Sequence, residues 1–223
     1  MTPLALLGLA AFSFVATHFI MSHPLRAPLV SRLGERGFLI AYSVVAFATL
    51  GWTIWAYGRV PREAPMWVAG DAAWLVASLL MWLGSILFIG SLRSNPSFPS
   101  AGMRTRMPTP RGVFAITRHP MMWGFALWAL VHAIVAATPA GLIMAAAIGF
   151  LALVGAGFQD SKKALQLGEA WEGWRARTSY IPFGSGAANP GVFALAGGTI
   201  LFFAATWAHQ PYGAAAGFWR WLG

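Results

Sequence analysis

The sequence predicts an all-α, polytopic integral membrane bundle of about six transmembrane helices, with cytoplasmic amphipathic segments. Three observations carry that expectation: six apolar runs, a shortage of charge, and a one-sided distribution of Lys and Arg. Of the 223 residues, 58% are hydrophobic and 9% charged, with a mean hydropathy of +0.63. A soluble domain has about 25% charged residues, so this chain lacks the charge to cover a water-facing surface. The length suits a single domain over residues 1–223.

The apolar runs lie at 3–22, 37–57, 67–92, 120–137, 141–158 and 192–208. Each is near the ~20 residues that a ~30 Å hydrocarbon core requires. Lipid cannot satisfy free backbone groups, so these are helices, and nothing alternates as a barrel strand would. The first run has no basic leader and ends in Ser22-His23-Pro24, which reads as a retained helix. The fourth and fifth meet at Thr138-Pro139-Ala140, a hairpin.

Twelve of the fifteen Lys and Arg residues fall in alternate loops: Arg26, Arg32, Arg36, then Arg93, Arg104, Arg106, Arg111, Arg118, then Lys162, Lys163, Arg175, Arg177. Arg59, Arg62 and Arg220 lie on the opposite side. The positive-inside rule therefore places the basic loops in the cytoplasm and both termini in the periplasm of a bacterial inner membrane. The net charge of +9 is accordingly read as facing anionic lipid, not nucleic acid. Trp207, Trp219 and Trp221 suit an interfacial belt on the outer side. Residues 93–118, rich in proline, read as irregular before a short helix at 111–117. Trp171, Trp174 and Arg175 fall at helical spacing, as in an amphipathic helix on the membrane surface.

The absence of cysteine excludes disulfides, iron–sulfur clusters and covalent c-type haem. The ionisable residues placed inside or beside the spans are His18, His23, His119, His132 and His209. The alternative to function for each is an imidazole satisfied by a carbonyl, the favoured reading for His209 at the end of span six. His119 and His132 are about 220° apart on a helix and His18 and His23 about 140°, so each pair diverges. There is no H-E-x-x-H, and the spans hold no buried carboxylate for a di-metal site. Two histidines on different helices suit the two faces of a haem iron. On a 1.5 Å rise His132 lies about 18 Å from the inner end of its span and His18 about 9 Å, leaving a gap of about 9 Å for tilt to absorb. His23 and His119, both near the inner interface, form the rival pair.

Thr117-Arg118-His119-Pro120 opens span four with proline at the first helical position. Free N–H groups there, with Arg118 and Arg111 nearby, would hold an anion such as a haem propionate, a lipid phosphate or a nucleotide carboxylate. The simpler reading is that Arg118 anchors the helix end to headgroups.

The run Thr17 to Arg26 with Leu33-Gly34-Glu35-Arg36-Gly37, the run Arg111 to His132, and Thr178-Ser179-Tyr180-Ile181-Pro182-Phe183 together resemble the signatures of the NnrU family of membrane proteins. That resemblance covers most of the chain in order. It implies a link to nitrite and nitric oxide metabolism, and kinship with 15-cis-zeta-carotene isomerases, which are haem b membrane proteins. Carried over by position, it implies haem b with His18 and His132 as iron ligands and His119 as a motif residue that does not bind the metal. The implied chemistry is redox-dependent isomerisation of a lipophilic polyene, or a nitrogen-oxide-linked step, with a lipophilic substrate and a redox partner that the sequence does not name. A second resemblance, of Arg118-His119-Pro120 with Trp123-Gly124 and the segment holding Glu169, Trp171, Glu172, Trp174 and Arg175, is to isoprenylcysteine and phospholipid methyltransferases, implying S-adenosylmethionine. Met122 stands where that family usually has tyrosine. A non-catalytic haem-handling factor is a third reading.

Overall fold

The computed structural model describes residues 1–96, 107–210 and 215–222. Its helices are α1 (Pro3–Ser22), α2 (Arg26–Tyr57), α3 (Asp71–Ser91), α4 (Val113–Ile116), α5 (Pro120–Val135), α6 (Pro139–Leu167), α7 (Glu169–Arg175) and α8 (Val192–Trp207). A 3-10 turn follows at Gly217–Trp221, and no strand occurs among the described residues. Four helices, α1, α2, α3 and α6, are long and apolar enough to cross a membrane, while α5 and α8 are shorter apolar helices. The protein is a multi-pass membrane bundle. At 16 residues each, α5 and α8 are about 24 Å long.

Local chemistry sets the helix ends. Thr2 and Thr138 cap α1 and α6, their side chains accepting the N–H of Ala5 and Gly141, and proline follows each cap. Gly34, at φ 69° and ψ 169°, breaks α2 into a short basic segment and the spanning helix, at a backbone position open to glycine. Arg26 of the short segment pairs with Glu35 just past the break, at 3.0 Å.

The helices pack in the order α2, α1, α6, α5, α3, α8, each against the next. Small residues permit the closest approaches, as expected where lipid supplies no hydrophobic drive between helices. A Cβ on Gly198 of α8 would lie 2.5 Å from the Ile86 Cα of α3, and one on Gly124 of α5 would lie 3.0 Å from the Gly84 carbonyl oxygen of α3.

Two expectations change. Trp171 and Trp174 of α7 are buried among Met107, Val113, Phe114 and Ile116. The amphipathic pattern is real, but its apolar face covers the protein and not the lipid. The fifth apolar run ends at Phe158, yet the helix continues to Leu167; at 29 residues it is about 43 Å long. It therefore carries Asp160, a buried carboxylate, on a spanning helix that was expected to have none. The short helix expected at 111–117 is α4, and the rest of the proline-rich stretch, 97–106, lies outside the described residues.

Candidate functional site

Two apolar cavities flank α5, one in each half of the bundle. The first, of about 440 Å³, lies between α1, α2, α5 and α6 at the arginine-rich end. Phe14, Phe47, Leu50 and Leu151 line its body, and Ser22, His23, Gln159 and Lys162 its polar end. The second, of about 340 Å³, lies between α3, α5 and α8 at the opposite end, with Trp74, Trp128, His132, Thr206 and His209 on its wall. Both sizes are those of small-molecule sites. Phe125 of α5 lines both.

The histidines are distributed between them. His18 lines the first cavity, where its Nδ1 meets the Phe14 carbonyl oxygen one turn back at 2.7 Å. His132 lines the second, its Nδ1 2.8 Å from the Trp128 carbonyl oxygen. A carbonyl only accepts, so Nδ1 is the donor in each ring, and Nε2 is the atom that a neutral ring offers to a metal. His18 and His132 thus share donor chemistry, but the structure places them on different cavities. The neighbour of His132 is His209, with ring centroids 6.1 Å apart. His23 joins His18 on one wall despite the expected divergence. It is the C-cap of α1, at φ −122° and ψ −88°, so helical spacing does not extend to it. The Nε2 of His23 is buried with no partner among the described residues.

Arg118 and His119 form a separate cluster. The residue before a proline is held away from the helical region. Accordingly His119, before Pro120, caps α5 at φ −122° and ψ 54°, and Thr117, which ends α4, is extended at φ −154° and ψ 149°. The Arg118 N–H then donates to the Ser179 carbonyl oxygen at 2.8 Å, and the Thr117 hydroxyl to that of Tyr180 at 2.7 Å. This geometry turns both side chains onto α6. Arg118 donates from Nε and Nη2 to Asp160 Oδ2, at 2.8 and 2.6 Å. His119 Nε2 lies 2.8 Å from Asp160 Oδ1, and Arg118 Nη1 reaches the Thr178 carbonyl oxygen at 3.3 Å. Arg118 thus has a carboxylate partner within the chain, Asp160. Tyr180 packs against His119 and Arg118 and donates its hydroxyl to the Leu153 carbonyl oxygen at 2.5 Å. Burial, then the Asp160 charge, pushes the Tyr180 phenol up, with Arg118 opposing. Arg111 is exposed and outside the cluster.

Asp160, Gln159 and Lys162 are the site residues that hydropathy alone did not single out. Their signal was helical periodicity: Ala145, Ala152, Ala156 and Asp160 are the buried residues of α6 beyond its first turn, a single stripe.

The fold and its cavities define a polytopic, all-α membrane protein whose apolar cavities are lined in part by imidazoles. More narrowly, the profile of the NnrU protein family matches residues 6–216. The chain belongs to the NnrU family. No curated protein and no solved structure matches it.

Proposed function

We propose that this NnrU protein is a haem b protein of the bacterial inner membrane that acts on a lipophilic molecule, in a redox-dependent isomerisation of a polyene or a nitrogen-oxide-linked step. The observation that carries the reading is the first cavity. Its walls are apolar, an imidazole with a bare Nε2 stands on one of them, and its polar end holds Lys162, Gln159 and the unpartnered Nε2 of His23. An apolar macrocycle with an acidic edge fits that arrangement: His18 ligates the iron, and Lys162 with His23 takes the propionates in the role first expected of Arg118 and Arg111. A bound haem supplies one-electron redox chemistry; the helices orient it, exclude water and admit the substrate beside it.

His132 is the second ligand that kinship to the carotene isomerases implies. In this chain it lines the second cavity, which shares Phe125 with the first. The methyltransferase reading loses support because Trp171 and Trp174 are buried in the core and Glu172 pairs with Arg175 at 3.0 Å.

The test is the absorption spectrum of detergent-purified protein and its variants. The expected result is a Soret band with non-covalent haem b that His18→Ala abolishes. Conversion of the low-spin spectrum to high-spin by His132→Ala supports the His18–His132 pair, and an unchanged spectrum assigns His18 alone. Protein from haem-replete cells that has no Soret band and binds S-adenosylmethionine in calorimetry overturns the reading.

A further inference from the structure

Beside the Arg118–His119–Asp160 cluster lies a small cavity of about 20 Å³, lined by Asn95, Arg118, His119, Met122 and Gln159 among others. It has room for about one water. Met122 and Gln159 also line the first apolar cavity, so the two spaces share walls. The His119 side chain is 1% exposed, and its Nδ1 is buried with no partner among the described residues. A buried nitrogen without a partner calls for an explanation.

The other half of the ring supplies one. Asp160 can only accept, so His119 donates from Nε2; in the neutral ring the lone pair then sits on Nδ1. A carboxylate fixing one nitrogen of an imidazole so that the other accepts protons is the arrangement of an oriented general base. Arg118 neutralises Asp160 in the resting cluster, leaving the group without net charge.

We propose that His119, oriented by Asp160, is the proton-exchanging group of the first cavity. When that cavity gains negative charge, by entry of an anion or one-electron reduction of its cofactor, Nδ1 takes a proton from water in the small cavity. An O–H bond breaks, an N–H bond forms, the hydroxide is neutralised in bulk solvent, and Asp160 balances the imidazolium. Loss of the charge returns the proton to water. Among the described residues, the charged and titratable groups facing the ring are Arg118 before α5, Asp160 on α6 and Tyr180 after α7. Lys162 and His23 face the adjoining cavity. The cofactor half of this proposal rests on the haem reading; the tautomer half does not.

Two measurements on the full chain in detergent test it. In nitrogen-15 spectra of histidine-labelled protein, assigned by loss of a signal in His119→Gln, His119 is expected with a proton on Nε2 and none on Nδ1. Asp160→Asn should scramble that preference. A proton found on Nδ1 in the wild type overturns the proposal, whether or not haem is bound. In haem-loaded protein reduced with dithionite at poised potentials, the midpoint should fall as pH rises. That dependence should be lost in His119→Gln and weakened in Gln159→Leu, which dries the small cavity, yet kept in Tyr180→Phe. A pH dependence that survives both His119→Gln and Gln159→Leu overturns the relay. If no haem is present, the haem reading fails and the tautomer measurement alone decides this one.

Discussion

Removing the carboxylate of Asp160 tests whether the Arg118 cluster holds the two halves of the bundle together. Asp160 receives the Arg118 Nε–H and Nη2–H and the His119 Nε2–H at 2.6 to 2.8 Å, and both charged side chains are 10% exposed. Asp160→Ala leaves a buried guanidinium without its counter-ion, a change that typically costs about 3–5 kcal/mol. Asp160→Asn keeps one acceptor oxygen and loses the charge; with hydrogen bonds to charged groups worth about 1.5–3 kcal/mol each, a loss of about 3 kcal/mol is expected. Arg118→Met should cost a similar amount through the stranded carboxylate. Arg118→Met with Asp160→Leu should recover about 2 kcal/mol or more relative to the sum of the singles, because the desolvation penalties vanish together. The assay is equilibrium unfolding in mixed micelles, followed by tryptophan fluorescence. Strict additivity in the double variant, or an Asp160→Asn within about 1 kcal/mol of wild type, refutes the reasoning, because an exposed pair behaves that way.

Three further outcomes follow from packing, titration and topology. Gly198→Ala drives a methyl onto the Ile86 backbone at 2.5 Å and should destabilise the α3–α8 contact by about 1–3 kcal/mol, while Gly8→Ala, with open space around it, should be near neutral; the same unfolding assay reads both. Tyr180 carries a raised phenol, so above about pH 10 the unfolded chain releases this proton first and stability falls with rising pH until the folded phenol ionises; Tyr180→Phe should remove that alkaline loss, measured by phenolate absorbance and unfolding across the range. The orientation expected from the positive-inside rule is tested by labelling: Glu63→Cys should react with an impermeant thiol reagent on spheroplasts and Ser185→Cys should not, both positions being exposed; the reverse pattern inverts the topology.

Hydropathy located the six apolar helices, and its boundaries coincide with the helix ends at Pro3, Ser22, Tyr57, Pro120 and Val192, while α6 starts two residues ahead of its apolar run, at Pro139. It placed the start of the spanning part of α2 beside the Gly34 break. His119 faces α6 through Asp160, while His132 lines the cavity between α3, α5 and α8; that divergence agrees with a spacing of about 220°, although His119 is the cap ahead of α5 and its direction is set by the junction with Pro120. The same arithmetic failed for His18 and His23, because His23 lies beyond the last helical residue. Pairing across helices is a different problem. Depth along two separate spans left His18 and His132 about 9 Å apart, and only the packing order shows that each faces its own cavity.

The longest consequence comes from a boundary drawn by polarity. Gln159 and Asp160 end the apolar run, so hydropathy assigns them to a loop. Helix geometry does not end with apolarity, because backbone hydrogen bonds continue and the i, i+4 stripe of Ala152 and Ala156 carries on to Asp160. A carboxylate on that stripe faces the same neighbour as the alanines, α5, whose first residues are Pro120 and the Arg118–His119 pair before it. Two basic residues ahead of one helix and an acid at the end of the stripe on the next, joined by the Thr138 hairpin, are therefore a pairing that the sequence holds. It becomes visible once helices are followed by phase and not by hydropathy. The same step moves Gln159 and Lys162 from a solvent loop to the polar mouth of a cavity. In this bundle the chemistry-bearing residues gather where a helix outruns its apolar stretch, since there a polar side chain keeps a helix's fixed direction while water and charge are within reach.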